Sequence, residues 1–421
     1  MLINFTVGNY RSFKNEETLS MEATSIKEHK DAVISVDKYK LLPLAVLYGA
    51  NSSGKSNVLS AFSVMKYVVV NSVKLNPDEE IVPFFPFMLD TKSFELPTSF
   101  EVEFLIGTTY YRYGFEYNEK IIVTEWLYER LPGEKEYNLF LRSGSAYKVS
   151  STRFVEGKGK ETNTSDNRLF LSLVAQLRGQ KSVKIIEWFS NINFISGLDN
   201  SGYESFTKQM IQYRLEGFLP AFNFFQKLQL GFKDIKVKET EISNDFKKAL
   251  AGVPLDVQKK MLQERNTELR TIHEVFDENG NVARLDEFSE EMMESEGTKK
   301  VIELSGPLFD TLLNGKILLV DELDAKLHPI LTRNIIMLFN DPQQNKKGAQ
   351  LIFATHDTNL LNINYVRRDQ VWFTEKDPQE STDLYSLVEF KDEEGIKVRK
   401  DRSLAKDYIN GRFGAIPFIG G

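Results

Sequence analysis

The segment LLPLAVLYGANSSGKSNVLS, residues 41 to 60, constrains this chain more than any other. Within it Gly49 is followed after four residues by Gly54, Lys55 and Ser56. The apolar run 41–48 reads as a buried strand, and Val58, Leu59, Phe62, Met65 and Val69 recur at helical spacing. The glycine-rich loop therefore joins a strand to the start of a helix, the setting in which this spacing holds phosphate. Its glycines let backbone N–H groups turn inward on an anion, and the helix N-terminus adds partial positive charge. Lys55 is placed to reach terminal phosphates, and the Ser56 hydroxyl to ligate magnesium.

Downstream, KILLVDELDAKLHP ends a second buried run with Asp321 and Glu322. Open α/β sheets bind their ligands at the carboxyl ends of strands. Asp321 is suited to hold magnesium through water and Ser56, and Glu322 to act as the base that aligns and deprotonates an attacking water. AQLIFATHD ends a third run with His356, whose imidazole is suited to hydrogen-bond a γ-phosphate and sense its loss. In ESEGTKKVIEL, Ser295 and Gly297 precede a helix, and a hydroxyl, a bare backbone and a helix N-terminus make a second anion site. Since the chain already has one phosphate loop, that second site is expected to face the nucleotide of another copy.

Strands alternating with helices predict a parallel sheet in the C-terminal part. The N-terminal part reads differently. INFTV and ETLSMEA are expected as strands about the turn NYRSFKNE, and SFEVEFLIG, YYRYGFEYN and IIVTEWLYER (within 95–150) as an antiparallel set. KGKETNTSDN is a polar loop. From about 168 to 270 the reading is mostly helical, through LFLSLVAQL, VKIIEWFSNI and VQKKMLQERNTELRTI. Breaks at Gly217, Pro220, Gly231, Gly252 and Pro254 exclude a long coiled coil. HEVFDENGNVARLDEF is a hairpin turning at Asn279 and Gly280.

With 421 residues, 41% of them hydrophobic, the chain can bury a large core and a second lobe. It has no cysteine, which excludes disulfides and thiolate-ligated metal clusters. MLINFTVGNYRSF lacks the form of a signal peptide, and no apolar run is long enough to span a bilayer, so a cytoplasmic protein is expected. The formal charge of −7 gives no overall positive field toward nucleic acid.

In the order and spacing of these motifs the sequence resembles the ATP-binding-cassette (ABC) ATPases, and within them the stand-alone AAA15, AAA_21 or OLD-like branch, relatives of RecF, Rad50 and SMC heads. The resemblance runs from FTVGNYRSF through GANSSGKSN, SEGTKK, LLVDELDAKLHP and FATHD to RRDQVWFTEK and GRFGAIP. It implies an α/β P-loop NTPase fold of ABC type, with a mixed central sheet, an antiparallel β subdomain and a helical insertion. The expected divisions are an N-terminal lobe at 1–195, a helical insertion at 196–270 and a C-terminal lobe at 271–421.

By that resemblance Gly49, Asn51, Ser53, Gly54, Lys55, Ser56 and Asn57 form the Walker A loop, which binds ATP. Asp321 and Glu322 form the Walker B end, with Ser56 and Asp321 on Mg2+. Ser295 and Gly297 form the signature that binds ATP in trans, and His356 is the switch histidine. Arg11, in the NYRSF turn, is a candidate for phosphate or base contact. Two departures stand out. The magnesium-sensing glutamine expected after the first lobe is missing, the first Gln being Gln176, which leaves its role unfilled or taken by a residue such as Asp90. His328 occupies the place of the closing aspartate of the D-loop, with Asp324 nearby.

The resemblance further implies a homodimer or higher homo-oligomer that senses or regulates a separately encoded effector, a nuclease-like protein of Toprim or RloB type, in bacterial antiphage defence. Only about 65 residues follow His356, too few for a Toprim domain at usual sizes, so the chain is not expected to be a nuclease itself. A DNA-repair head that binds nucleic acid and a slow, ATP-bound scaffold are the alternative readings. Partner docking is expected on Tyr203, Phe206, Tyr213 and Phe218 of the insertion and on GRFGAIPFIGG.

Overall fold

The structure, a computed structural model, describes residues 1–199, 202–239, 253, 267–391 and 402–416. Leu2–Gly8 (β1) and Glu17–Ser20 (β2) pair antiparallel around the NYRSFKNE turn, as their alternation predicts. Ile34–Val36 (β3) and Tyr39–Leu41 (β4) make a small hairpin that leads into Leu44–Gly49 (β5) and the helix Lys55–Asn71 (α1). Thr98–Ile106 (β6), Thr109–Tyr117 (β7), Ile122–Arg130 (β8), Tyr137–Ser143 (β9) and Ala146–Val149 (β10) then join β1 and β2 in one antiparallel sheet of order β10-β9-β8-β7-β6-β1-β2. From Thr98 to Phe104 of β6 buried and part-exposed residues alternate, the mark of a sheet with one solvated face, while Leu105 packs with Ile3 and Tyr110 in a small separate core.

Phe170–Gln176 (α2) and Gln180–Ser190 (α3) precede Ile192–Ser196 (β11). Glu204–Gln212 (α4) and Phe218–Lys227 (α5) are the two helices that follow β11. Asp234–Glu239 (β12), Thr267–Phe276 (β13) and Val282–Ser289 (β14) make a three-stranded antiparallel sheet. Glu290–Met293 (α6) and Glu296–Asn314 (α7) lead to Ile317–Asp321 (β15), Pro329–Asn340 (α8), Gln350–Ala354 (β16), Val371–Lys376 (β17), Thr382–Ser386 (β18) and Leu404–Ile409 (α9).

The second large sheet has the order β11-β15-β16-β5-β17-β18, parallel except for β18. All six residues of β5 are buried because the strand faces two cores. Ala45 and Leu47 join the core between the two large sheets, where α1 lies and Phe62 stacks on Phe5 at 4.4 Å between ring centroids. Leu44, Val46 and Tyr48 face the opposite core, built by α4, α5, α7 and α8. Gln350, fully buried, ties the sheets together by accepting from Leu2 N and donating to the Leu2 and Leu42 carbonyls.

Helix α4 crosses α7 at close range. A Cβ on Gly306 would lie 2.3 Å from Thr207 Oγ1. That hydroxyl donates at 2.5 Å to the Glu303 carbonyl, which has no N–H four residues on because Pro307 occupies that position.

The stretch read as mostly helical from 168 to 270 needs correction. It contains β11 and β12, and Thr267–Ile272 of VQKKMLQERNTELRTI is the start of β13, while 257–266 lie outside the described residues. In TELRTI the buried Leu269 and Thr271 alternate with polar residues and pair with β12 and β14, so cross-strand bonding overrides local helix propensity. The hairpin at Asn279 and Gly280 stands as expected. Gly280 has φ 80°, and the Asp277 carboxylate accepts from Asn279 N and Asn281 N. Gly252 and Pro254 are outside the described residues.

Candidate active site

The carboxyl ends of β5, β16 and β15 lie side by side because these strands are parallel neighbours in the sheet. That order brings Gly49–Asn57, His356 and the Asp321-Glu322 pair to one edge. Gly49 ends β5, and a Cβ there would lie 2.3 Å from Ser53 Oγ and 2.5 Å from the Thr374 carbonyl, so only glycine fits. Ser52 (φ 64°) and Gly54 (φ 113°) adopt left-handed backbone, the geometry in which successive N–H groups form an anion nest at the start of α1.

Lys55 is buried, and its ammonium donates to the Gly49 and Ala50 carbonyls at 2.9 Å each. Burial pushes its pKa down, and the nearby carboxylates of Asp321, Glu322 and Asp324 oppose that shift by favouring the charged form. Ser56, exposed at the next position, donates from Oγ to Asp321 Oδ1 at 3.0 Å. Asn51 is exposed on the loop.

A hydroxyl network holds the loop from behind. Ser53 Oγ is 2.6 Å from Thr374 Oγ1. Thr382 Oγ1 donates to the Ser53 carbonyl at 2.8 Å and lies 2.8 Å from Ser12 Oγ, which accepts from Asn57 Nδ2 at 2.7 Å. Ser12, Thr374 and Thr382 were not foreseen. The motif RRDQVWFTEK contains Thr374 and was the signal available, but its partner lies 321 residues away along the chain.

Arg11 sits beside Ser12 in the NYRSF turn with φ 47°. Its guanidinium lies 5.0 Å from the Phe85 ring centroid and 5.6 Å from that of Tyr10. Asp90 pairs with Lys14 at 2.8 Å and accepts from Lys92 N and Ser93 N, contacts that hold its carboxyl well below the usual range.

Glu322 has φ 54°, and its carbonyl accepts from Ala325 N at 3.0 Å. The turn so formed carries Asp324, whose Oδ2 accepts from His356 N at 3.4 Å and whose buried Oδ1 has no hydrogen-bond partner among the described residues. His356 itself is exposed. His328 caps α8, its Nδ1 accepting from Ile330 N at 3.2 Å.

Ser295 caps α7 by accepting from Thr298 N at 3.2 Å, and Glu296 pairs with Lys326 at 3.1 Å. A Cβ on Gly297 would lie 3.4 Å from the Lys326 carbonyl. The Ser295 end of α7 thus meets the segment that follows Glu322.

Among the described residues no group of three or more His, Cys, Asp or Glu forms a metal cage. The donor set instead fits magnesium, which commonly takes one or two protein oxygens plus substrate phosphates. Ser56 and Asp321 present that oxygen pair beside the nest.

The expected docking aromatics divide. Tyr203 and Phe218 are buried, at 4% and 7% exposure, while Phe206 and Tyr213 are exposed at 41% and 65%. The first two belong to the core that Leu44, Val46 and Tyr48 face, Tyr203 from the position just ahead of α4 and Phe218 from the first position of α5. In GRFGAIP, Phe413 and Ala415 are buried in the same core, so this segment packs against the parallel sheet's side of the molecule, and residues 417–421 lie outside the described set.

A family model described as AAA_21, AAA domain, putative AbiEii toxin, Type IV TA system, matches residues 44–362. No curated protein matches the chain. Among solved structures, the SMC head domain from Thermotoga maritima shares 11% identity, covering 91% of this chain and 98% of its own, with a TM-score of 0.40. An SMC head bound to the C-winged helix domain of ScpA gives 13% identity, 91% and 97% coverage and a TM-score of 0.39. An Smc head with an extended coiled coil bound to the C-terminal domain of ScpA, derived from Pyrococcus furiosus, gives 12%, 91%, 96% and 0.34.

Proposed function

The chain belongs to the AAA_21 family of AAA domains, with a mixed α/β P-loop fold of ABC type, and from that premise we propose that it binds ATP and hydrolyses it to ADP and phosphate. The observation that carries this reading is the Ser56–Asp321 hydrogen bond at 3.0 Å, which joins the phosphate loop to the acidic strand end across β16.

In this reading the N–H groups of Gly49–Asn57 and the α1 N-terminus cradle the β- and γ-phosphates. Lys55 holds the negative charge that grows on them. Magnesium, held through Ser56 and Asp321, supplies further charge neutralisation when bound. Glu322 orients a water molecule and accepts its proton as the water oxygen bonds to the γ-phosphorus. The bond from the γ-phosphorus to the bridging oxygen breaks, and ADP leaves with that electron pair. His356 hydrogen-bonds the γ-phosphate from the strand between the two acid and loop strands, and Arg11 contacts phosphate or base from the adjoining turn.

Ser295 and Gly297 face the nucleotide of a second copy, so ATP closes a homodimer or higher assembly and hydrolysis releases it. The output of that cycle is the sensing or regulation of a separately encoded nuclease-like effector of Toprim or RloB type in bacterial antiphage defence, in the cytoplasm, the chain not being a nuclease itself. The resemblance to AAA15 proteins supports this biological part. No described helix is long and apolar enough to cross a membrane.

Mass photometry of the wild type and Glu322→Gln, with and without ATP and magnesium, beside phosphate release, tests the reading. The expected result is an ATP-enlarged assembly that the Gln variant holds without turnover. Size that never responds to ATP would point to a preassembled scaffold instead.

A further inference from the structure

Gly197 follows the edge strand β11 and touches the main chain of the two site acids. Its N–H donates to the Asp321 carbonyl at 2.6 Å, continuing the parallel ladder that sets Ser196 against Asp321. A Cβ on Gly197 would lie 1.8 Å from the Glu322 carbonyl oxygen, 2.7 Å from the Glu322 carbonyl carbon and 2.9 Å from the Asp321 carbonyl oxygen. All three are backbone atoms. No rotamer change can clear them, so any side chain at 197 must displace either β11 or the Asp321-Glu322 turn.

The displaced element matters because Glu322 is already in a demanding conformation. Its φ of 54° is one that a residue with a Cβ keeps only where its surroundings fix it. The Glu322 carbonyl is fixed on one side by Ala325 N and on the other by the bare face of Gly197. The chain then bends away at once, since Ser196 Oγ accepts from Leu198 N at 3.1 Å and Asp199 N at 3.4 Å.

Resting on the assignment of Glu322 as the base, we propose that Gly197 is a positioning residue for Glu322. Its missing side chain lets β11 support the Glu322 main chain in the left-handed conformation that sets the direction in which the carboxylate leaves the sheet. A base works only within hydrogen-bond reach of the proton it takes. A shift of about 1 Å in that group costs on the order of 10²-fold in rate.

Gly197→Ala tests this, with Gly202→Ala as control because a Cβ at Gly202 meets open space. Phosphate release, titration with a fluorescent ATP analogue and the thermal midpoint are read on each. For Gly197→Ala, kcat is expected to fall on the order of 10²-fold, with analogue affinity retained, while Gly202→Ala matches the wild type in all three. In a Glu322→Gln background Gly197→Ala is expected to cause no further loss, since both changes act through one group. A Gly197→Ala protein with wild-type kcat overturns the proposal, as does an equal further loss on the Gln background. If Gly197→Ala does not fold, Ser196→Ala, which removes the hydroxyl that bends the chain and adds no atom, decides on the same criterion of lower kcat at unchanged affinity. Turnover surviving in Glu322→Gln alone sinks the assignment of the base, a separate failure from that of Gly197.

Discussion

Ser56 opens α1, the helix that follows β5, and Asp321 ends β15, which β16 separates from β5 in the sheet, yet the Ser56 hydroxyl donates to the Asp321 carboxylate at 3.0 Å. Parallel order makes this reach short, because β5, β16 and β15 all end on the same edge. Ser56→Ala and Asp321→Asn are each expected to lower magnesium-dependent affinity for a fluorescent ATP analogue by at least the roughly 10- to 100-fold that loss of an outer-shell partner of a metal ligand costs, and to leave the affinity in excess chelator nearly unchanged. Titrations with and without magnesium measure both. An equal loss in chelator would reduce the pair to a structural hydrogen bond.

Thr382 supports the phosphate loop from a strand that is remote in sequence. Thr382→Val keeps the shape of the side chain and deletes its hydroxyl, which leaves the Ser53 carbonyl without this donor. A buried acceptor stranded in this way costs about 1–3 kcal/mol. The expected outcome is a lower midpoint in denaturant unfolding together with weaker nucleotide binding. If binding is unchanged while stability falls, the network serves the fold alone.

Glu290, on α6 just ahead of the Ser295 end of α7, gives a pH dependence with a definite sign. Burial first, and then repulsion from Glu303, push its carboxyl from 4.5 up to about 8, with Glu204 adding to the rise and Lys208 and Lys299 opposing it. Its folded pKa lies above the unfolded one, so the stability it contributes is complete below 4.5 and is lost as pH rises through about 8. Glu290→Gln stays neutral throughout. Between about pH 6 and pH 9 its thermal midpoint is expected to fall less than that of the wild type. Parallel melting curves for the two proteins would show that Glu290 does not titrate in this window.

Ser295→Arg tests whether the N-terminal end of α7 meets a second copy. The residue is exposed, and among the described residues its hydroxyl is engaged only within its own first turn. Nucleotide affinity of the single chain is expected to stay within about 2-fold of wild type, as for most surface substitutions. The ATP-dependent gain in mass is expected to disappear in mass photometry. Assembly that persists would place the contact elsewhere.

Much of the site was legible because its signals are local. The phosphate loop needs only neighbours in sequence: a strand, two glycines and a helix start. The alternation of β2, β8 and most of β6 was equally legible, since one face of each lies in the core and the other is at least partly open to solvent, while Ile3 of β1, Leu105 of β6 and Tyr110 of β7 join Tyr39 and Leu41 in a small core on the other face. Where the signal was non-local it failed. TELRTI follows a run of strong helix formers, and only pairing with β12 and β14 made it a strand. Tyr203 and Phe218 show the same limit, because spacing gives the face a residue shares but not which face meets the core.

The sequence by itself determined that a nest, a lysine and a hydroxyl would stand at a helix N-terminus, and that acids and a histidine would end buried strands. These follow from backbone freedom at glycine and from the periodicity of apolar residues. Only the tertiary structure decided that β16 lies between β5 and β15, which puts His356 between the loop and the acids. It alone placed Thr382 behind Gly54 and the bare face of Gly197 against the Glu322 carbonyl. The physical reason is that close approach between distant segments depends on which strands share hydrogen bonds, and strand order is settled by the packing of the whole chain.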